Sequence, residues 1–113
     1  MTMTVLTRIL HDRDNPAMEI PIVIFSPVEK HNSWWCRFAI GWPDGELART
    51  AGGVDAIHAL EMAMQMIGSE LYVSDLHRQA RLTWLEPGDG YGFPVPRTIR
   101  DLLEGADRDR FGW

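Results

Sequence analysis

The chain predicts an α+β fold: an antiparallel meander of about four strands, one long helix packed on one face, and a C-terminal strand, loop and short-helix segment. Three observations carry this. Strand-forming runs, with period-two alternation clearest from Trp34 to Trp42, extend up to Ala51, one continuous helical pattern follows Gly52-Gly53, and residues 86–96 are rich in glycine and proline.

Thr4 to Leu10 is rich in β-formers and predicts the first strand. His11 to Ala17, with Asp-Arg-Asp-Asn-Pro, reads as a turn cluster. Met18 to Phe25 is the second strand, and Pro21, which has no N–H to donate, suggests an edge or a strand start. Glu29 to Ser33 reads as a polar connection. Trp34 to Trp42 alternates most cleanly, with Trp34, Cys36, Phe38, Ile40 and Trp42 on the core face. Pro43-Asp-Gly45 supplies a turn, because proline presets φ and glycine accepts a positive φ. Glu46 to Ala51 returns as a shorter strand.

The segment Gly53 to Asp75 predicts a helix with Asp55 as N-cap and an end between Gly68 and Asp75. Ile57, Leu60, Met64, Ile67 and Leu71 recur at spacings of three and four and form its core stripe. Ala59, Met62 and Met66 fall on the opposite side at about 100° per residue. A helix apolar on two sides requires a second body to pack against.

Beyond the helix, Arg81 to Leu85 predicts a short strand, and Glu86 to Pro96 a shaped loop. Thr98-Ile-Arg-Asp101 resembles a capping box opening a helix over Ile99 to Glu104. Residues 103–113 read as a loose tail of the single domain 1–113. Val23, Phe25 and Trp35 fall on the second sheet face. That face is expected to be covered by Trp84, Tyr91, Phe93 and Val95, with a homodimer interface as the alternative.

A chain of 113 residues suits one domain. The net charge of -5 argues against a nucleic-acid partner. Lys30 is the one lysine among 11 basic residues. Arginine favours planar pairing at interaction surfaces, although a GC-rich genome explains the same bias. No apolar run approaches the roughly 20 residues that span a bilayer, so no membrane is expected. The N-terminus lacks a signal-peptide pattern, and a cytoplasmic location follows as the expectation.

Catalytic signatures are missing. Cys36 lies on a core face without a base beside it. The four histidines His11, His31, His58 and His77 are scattered without metal-ligand spacing, so neither a metal nor a cofactor is expected. Gly88-Asp-Gly-Tyr-Gly92 lacks the endings of a phosphate loop. Its continuation to Arg97 is stiffened by proline and presents Asp89, Tyr91 and Arg97, as a binding loop or as a cap that plugs Tyr91 and Phe93 into the core.

Gly53-Val-Asp-Ala-Ile-His-Ala-Leu60, continuing Glu-Met-Ala-Met, and Gly90-Tyr-Gly-Phe-Pro-Val-Pro96 resemble a family of small uncharacterised bacterial domains with a Gly-x-Asp-x-x-x-Ala-Leu helix. The resemblance runs from about Thr4 to Leu103. It implies bacterial origin and a regular fold, and it brings no catalytic residues. In layout the chain also looks like small acidic immunity proteins that neutralise toxins.

The leading expectation is a non-enzymatic interaction or regulatory domain. Met62, Met66 and Trp35 would meet a protein partner or a second copy. The rival is a small-molecule site or enzyme at the Asp89–Arg97 loop, in a cleft lined by Trp84 and Tyr91 with Arg97 converging on it. A toxin-neutralising role is the third.

Overall fold

Branched and aromatic residues alternating at Ile20, Ile22, Ile24 and at Cys36, Phe38, Ile40 line one side of a sheet and are buried there. A computed structural model describes residues 4–112; Met1–Met3 and Trp113, parts of the expected domain and tail, lie outside them. The strands are β1 (Thr4–Asp12), β2 (Asn15–Phe25), β3 (Val28–Lys30), β4 (Ser33–Trp42), β5 (Gly45–Gly53) and β6 (Leu82–Thr83). Every pairing is antiparallel. β5 flanks β4, which pairs on its other side with both β2 and β3; β1 follows β2, and the short β6 closes the far edge. The α+β architecture is the expected one, β6 falls within the short strand expected over Arg81 to Leu85, and the strands differ from expectation at two points.

The first of these, β3, replaces the expected polar connection. Lys30 pairs with Ser33 across His31 and Asn32, whose φ values are 55° and 62°. Two left-handed residues in a row make the primed turn whose twist matches a hairpin. Pro21 is the second difference, because it sits inside β2, a strand with neighbours on both sides. The β4 ladder reaches only Ile22 to Ile24, so no ladder partner on β4 calls on the N–H that Pro21 lacks, and its ring lies against Gly41. The missing N–H is tolerated there as at an edge.

Helix α1 (Ala56–Tyr72) begins as expected: the Asp55 carboxylate accepts from the His58 amide at 2.7 Å. It lies on β4 and β5. Its buried line is Ala59, Ala63, Ile67 and Leu71, so the expected stripe is displaced. Ala59 is fully buried, whereas Ile57 is 77% exposed. Small side chains face the sheet and let the helix approach it closely. Leu60, Met64 and also Met62 and Met66 are half-buried beside the core.

The second body against the helix is the chain's own C-terminal segment. A Cβ on Gly68 would fall 1.9 Å from the Pro94 carbonyl oxygen, so only glycine admits the crossing strand of chain. Phe93 borders Arg8, Ile22, Ile24 and Met64. These residues share the face that carries Leu10 and Ile20, because Arg8 pairs with Ile22 and Leu10 with Ile20. Helix and C-terminal segment therefore lie side by side on one face. The segment was expected on the other face, and that placement is corrected: among the described residues no helix packs over Ile9, Pro21, Val23, Phe25 and Trp35, which are partly or largely exposed, and Ala39 is buried among its strand neighbours.

The remaining pieces are α2 (Asp75–Arg78), a 3-10 helix (Arg97–Leu102) and α3 (Gly105–Phe111). The expected capping box is not formed, since the 3-10 helix starts after Pro96 without a side-chain cap. The expected loose tail is α3, anchored by a buried aspartate.

Gly68→Ala is expected to destabilise the fold by about 1–3 kcal/mol through overpacking, more than the roughly 1 kcal/mol gained from helix propensity. Urea unfolding measures this, and an unchanged or raised midpoint would contradict the crossing at Pro94.

Candidate functional site

The loop between β6 and the 3-10 helix is built by two charged side chains that grip one stretch of backbone from opposite sides. Asp107, on α3 and only 2% exposed, accepts from the Tyr91 and Gly92 amides, each at 2.8 Å. Arg8, on β1, donates from Nη1 to the carbonyls of the same two residues at 3.0 and 3.1 Å. Its guanidinium lies 3.9 Å from the centroid of the Trp84 ring and 4.9 Å from that of Phe93. Burial lowers the Arg8 pKa from its ordinary value, and the charge of Asp107 opposes that shift. Gly90 permits the arrangement: its φ is +80°, and a Cβ there would meet the Asp107 carboxylate at 2.2 Å.

The loop's aromatic ring turns inward. Tyr91 packs against Tyr72, ring centroids 5.2 Å apart, and its hydroxyl is hydrogen-bonded to His77 Nδ1. His77 Nε2 lies 3.5 Å from Glu104 Oε1. Tyr72 donates to Asp107 at 2.6 Å, and its oxygen accepts from the Glu104 amide at 3.4 Å. Both phenols have raised pKa values: burial is the first cause for each, joined by Asp107 at Tyr72 and by Glu104 and Asp107 at Tyr91. Both therefore remain protonated at neutral pH. The Tyr91 hydroxyl, which can both donate and accept, therefore meets Nδ1 in either imidazole tautomer, while Nε2 faces the Glu104 carboxylate.

A cavity of about 300 Å³ opens beside this chain, bordered by Arg13, His77, Thr83, Tyr91 and Glu104. It offers a guanidinium, an imidazole and a phenol to a small ligand. The cleft expected around Trp84, Tyr91 and Arg97 is divided. Trp84 and Asp89 border a neighbouring cavity of about 330 Å³ with Arg110, while Arg97 lines neither. Arg97 opens the 3-10 helix, which leads it away, and Tyr91 is held inward by the backbone grip. Tyr91 and Phe93 are each 4% exposed, so the loop acts as a cap on the core. His77, Glu104, Asp107 and Arg8 were not singled out for this site in the sequence; a buried carboxylate in a tail of alternating charges leaves no periodic signal.

The other expected binding residues lie elsewhere. Trp35, 38% exposed, is on the uncovered sheet face, where its ring lies over Gly52 and its Nε1 donates to the Lys30 carbonyl at 3.1 Å. Met62 and Met66 flank the core and are not a free methionine surface.

With the fold and loop in place, residues 6–95 match the family model of a domain of unknown function, DUF6968. The chain belongs to this family. The DUF6968 match takes in Arg8 and the Tyr91–Gly92 backbone and stops before Asp107. Comparisons with curated proteins and with solved structures give no match. Among the described residues no helix is long and apolar enough to cross a membrane, and no three histidine, cysteine or carboxylate side chains are grouped to hold a metal.

Tyr72 and Tyr91 are the only tyrosines in the chain, which makes their protonation directly readable. In the unfolded chain they ionise near pH 10. In the folded chain they stay neutral, so the stability they confer is complete below about pH 10 and is lost as pH rises beyond it. Absorbance at 295 nm is expected to rise only together with alkaline unfolding; a separate step near pH 10 in folded protein would contradict their burial. Asp107→Ala, which strands two amides and a hydroxyl, is expected to cost about 3 kcal/mol or more in denaturant unfolding. A loss below about 1 kcal/mol would show that the grip is dispensable.

Proposed function

We propose that the protein is a non-enzymatic interaction domain that associates through the uncovered sheet face, with a second copy of the chain as the partner. The observation that carries this is the placement of helix and C-terminal segment on one face, which leaves the other bare and apolar. Register divides the bare face into unlike halves. Ile9 opposite Pro21 and Val23 beside Phe25 make a bulky half on β1 and β2. Ala39 opposite Ala48, Trp35 opposite Gly52 and the glycine at 41 make a flatter half on β4 and β5. A two-fold axis would set the bulky half of each copy on the flat half of the other, the self-complementarity that an isologous interface needs. Arg37, exposed on the same face with its guanidinium 5.4 Å from the centroid of the Phe25 ring, adds the arginine character common at interfaces.

Sedimentation equilibrium is expected to give twice the chain mass at high micromolar concentration, and Ile9→Glu with Val23→Lys is expected to return it to one chain without loss of the folded spectrum. A single-chain mass at every concentration would remove this reading.

A second reading is supported by one specific feature, the Glu104–His77–Tyr91 chain bordering a cavity with Arg13. It makes the loop a small-molecule site, with Tyr91 as a binding rather than a reacting group because its phenol is held neutral.

A further inference from the structure

A larger concavity, separate from the loop cavity, forms where three turns meet. It encloses about 580 Å³, within the range that small-molecule sites occupy. The start of β2, the end of β4 and the junction of α1 with α2 supply its apolar floor: Met18, Trp42, Val73 and Leu76. Met18 and Val73 are 38% and 45% exposed, so apolar surface lies in contact with water inside a recess. Isolated apolar residues on convex surface are ordinary, whereas three of them gathered with an aromatic ring in a cleft are the composition of a ligand floor.

Negative charge predominates in the lining. Four carboxylates, on Asp12, Asp44, Glu70 and Asp75, line the cleft with one guanidinium, Arg81. That guanidinium is already engaged: it makes a two-point pair with Asp12, and its Nε lies 3.4 Å from Asp14. Asp44, in the β4–β5 turn, has no ion-pair partner among the described residues. Glu70 shares Arg49 at 3.7 Å, and Asp75 shares an exposed Arg78 at 3.4 Å; neither arginine lines the cleft. The recess thus combines an indole, an aliphatic floor and a surplus of negative charge. A cation gains from all three, since carboxylates attract it and an indole face stabilises it where water is thinned. An anion of the same shape is repelled.

We propose that this cleft binds a small organic cation, an ammonium or guanidinium group on an apolar body, with the body on Trp42 and Leu76 and the charge between Asp44 and Glu70. Three probes of one shape test it: 2-phenylethylamine, 2-phenylethanol and phenylacetate carry positive, zero and negative charge. Amide chemical shifts in two-dimensional NMR are expected to move around Trp42, Asp44 and Leu76 with the amine, and affinity for the alcohol and the acid is expected to be at least about tenfold weaker. Asp44→Asn combined with Glu70→Gln is expected to weaken the amine by about fivefold or more and leave the alcohol unchanged. Both positions are at least partly exposed, and spectral dispersion verifies that the variant is folded. Agmatine, the guanidinium probe, is expected to shift the same amides. Equal binding of the three phenyl probes, shifts confined to another surface, or no shift with either cation at millimolar concentration would overturn the proposal.

Discussion

The backbone at Tyr91 and Gly92 is held by opposite charges on its two edges, and the rest of the architecture depends on that grip. Asp107 satisfies the two amides and Arg8 the two carbonyls. A loop that enters the core must satisfy its peptide groups, because an unpaired one costs as much as a lost hydrogen bond. Here no neighbouring strand is available, so two side chains from distant parts of the chain take the place of a ladder. The grip ties β1 to α3 through the Tyr91–Gly92 backbone, and it sets Phe93 and Val95 down on β1, β2 and α1.

Sidedness follows from this. The sheet has two apolar faces, and the chain has only enough helix and loop to cover one of them. Helix α1 takes the β4–β5 half, the gripped segment takes the β1–β2 half, and the opposite face is left to water or to association. The helix that carried apolar groups on two sides satisfies both within its own chain, through the sheet on one side and Pro94 across Gly68 on the other. Methionine on the second side of α1 is therefore packed beside the core.

Much of the fold was legible because it rests on local, periodic signals. The alternation from Trp34 to Trp42 identifies its buried face, and Asp55 caps α1 where its position predicts. The differences share a physical origin. Period alone places Ile57 on the core stripe and Ala59 on the far side, because it gives relative angles and not the direction of the sheet. His31-Asn32 reads as a polar link until both residues are found left-handed. At the candidate site Tyr91 and Asp89 were legible as loop residues, whereas His77, Glu104 and Asp107 were not. They are 14, 13 and 16 residues from Tyr91 on separate elements, and nothing in their spacing announces that they converge.

The sequence by itself determined the α+β class, the order of strands and helix, the helix cap and the core face of β4, since each follows from backbone preference and from side-chain period within a few residues. Only the tertiary structure decided which face the C-terminal segment covers, and with it which apolar surface stays bare and which carboxylates gather around Trp42. Those outcomes depend on contacts between residues such as Arg8 and Tyr91, 83 positions apart. Such contacts form only after the chain has closed on itself, when a buried charge meets the one stretch of backbone that can satisfy it.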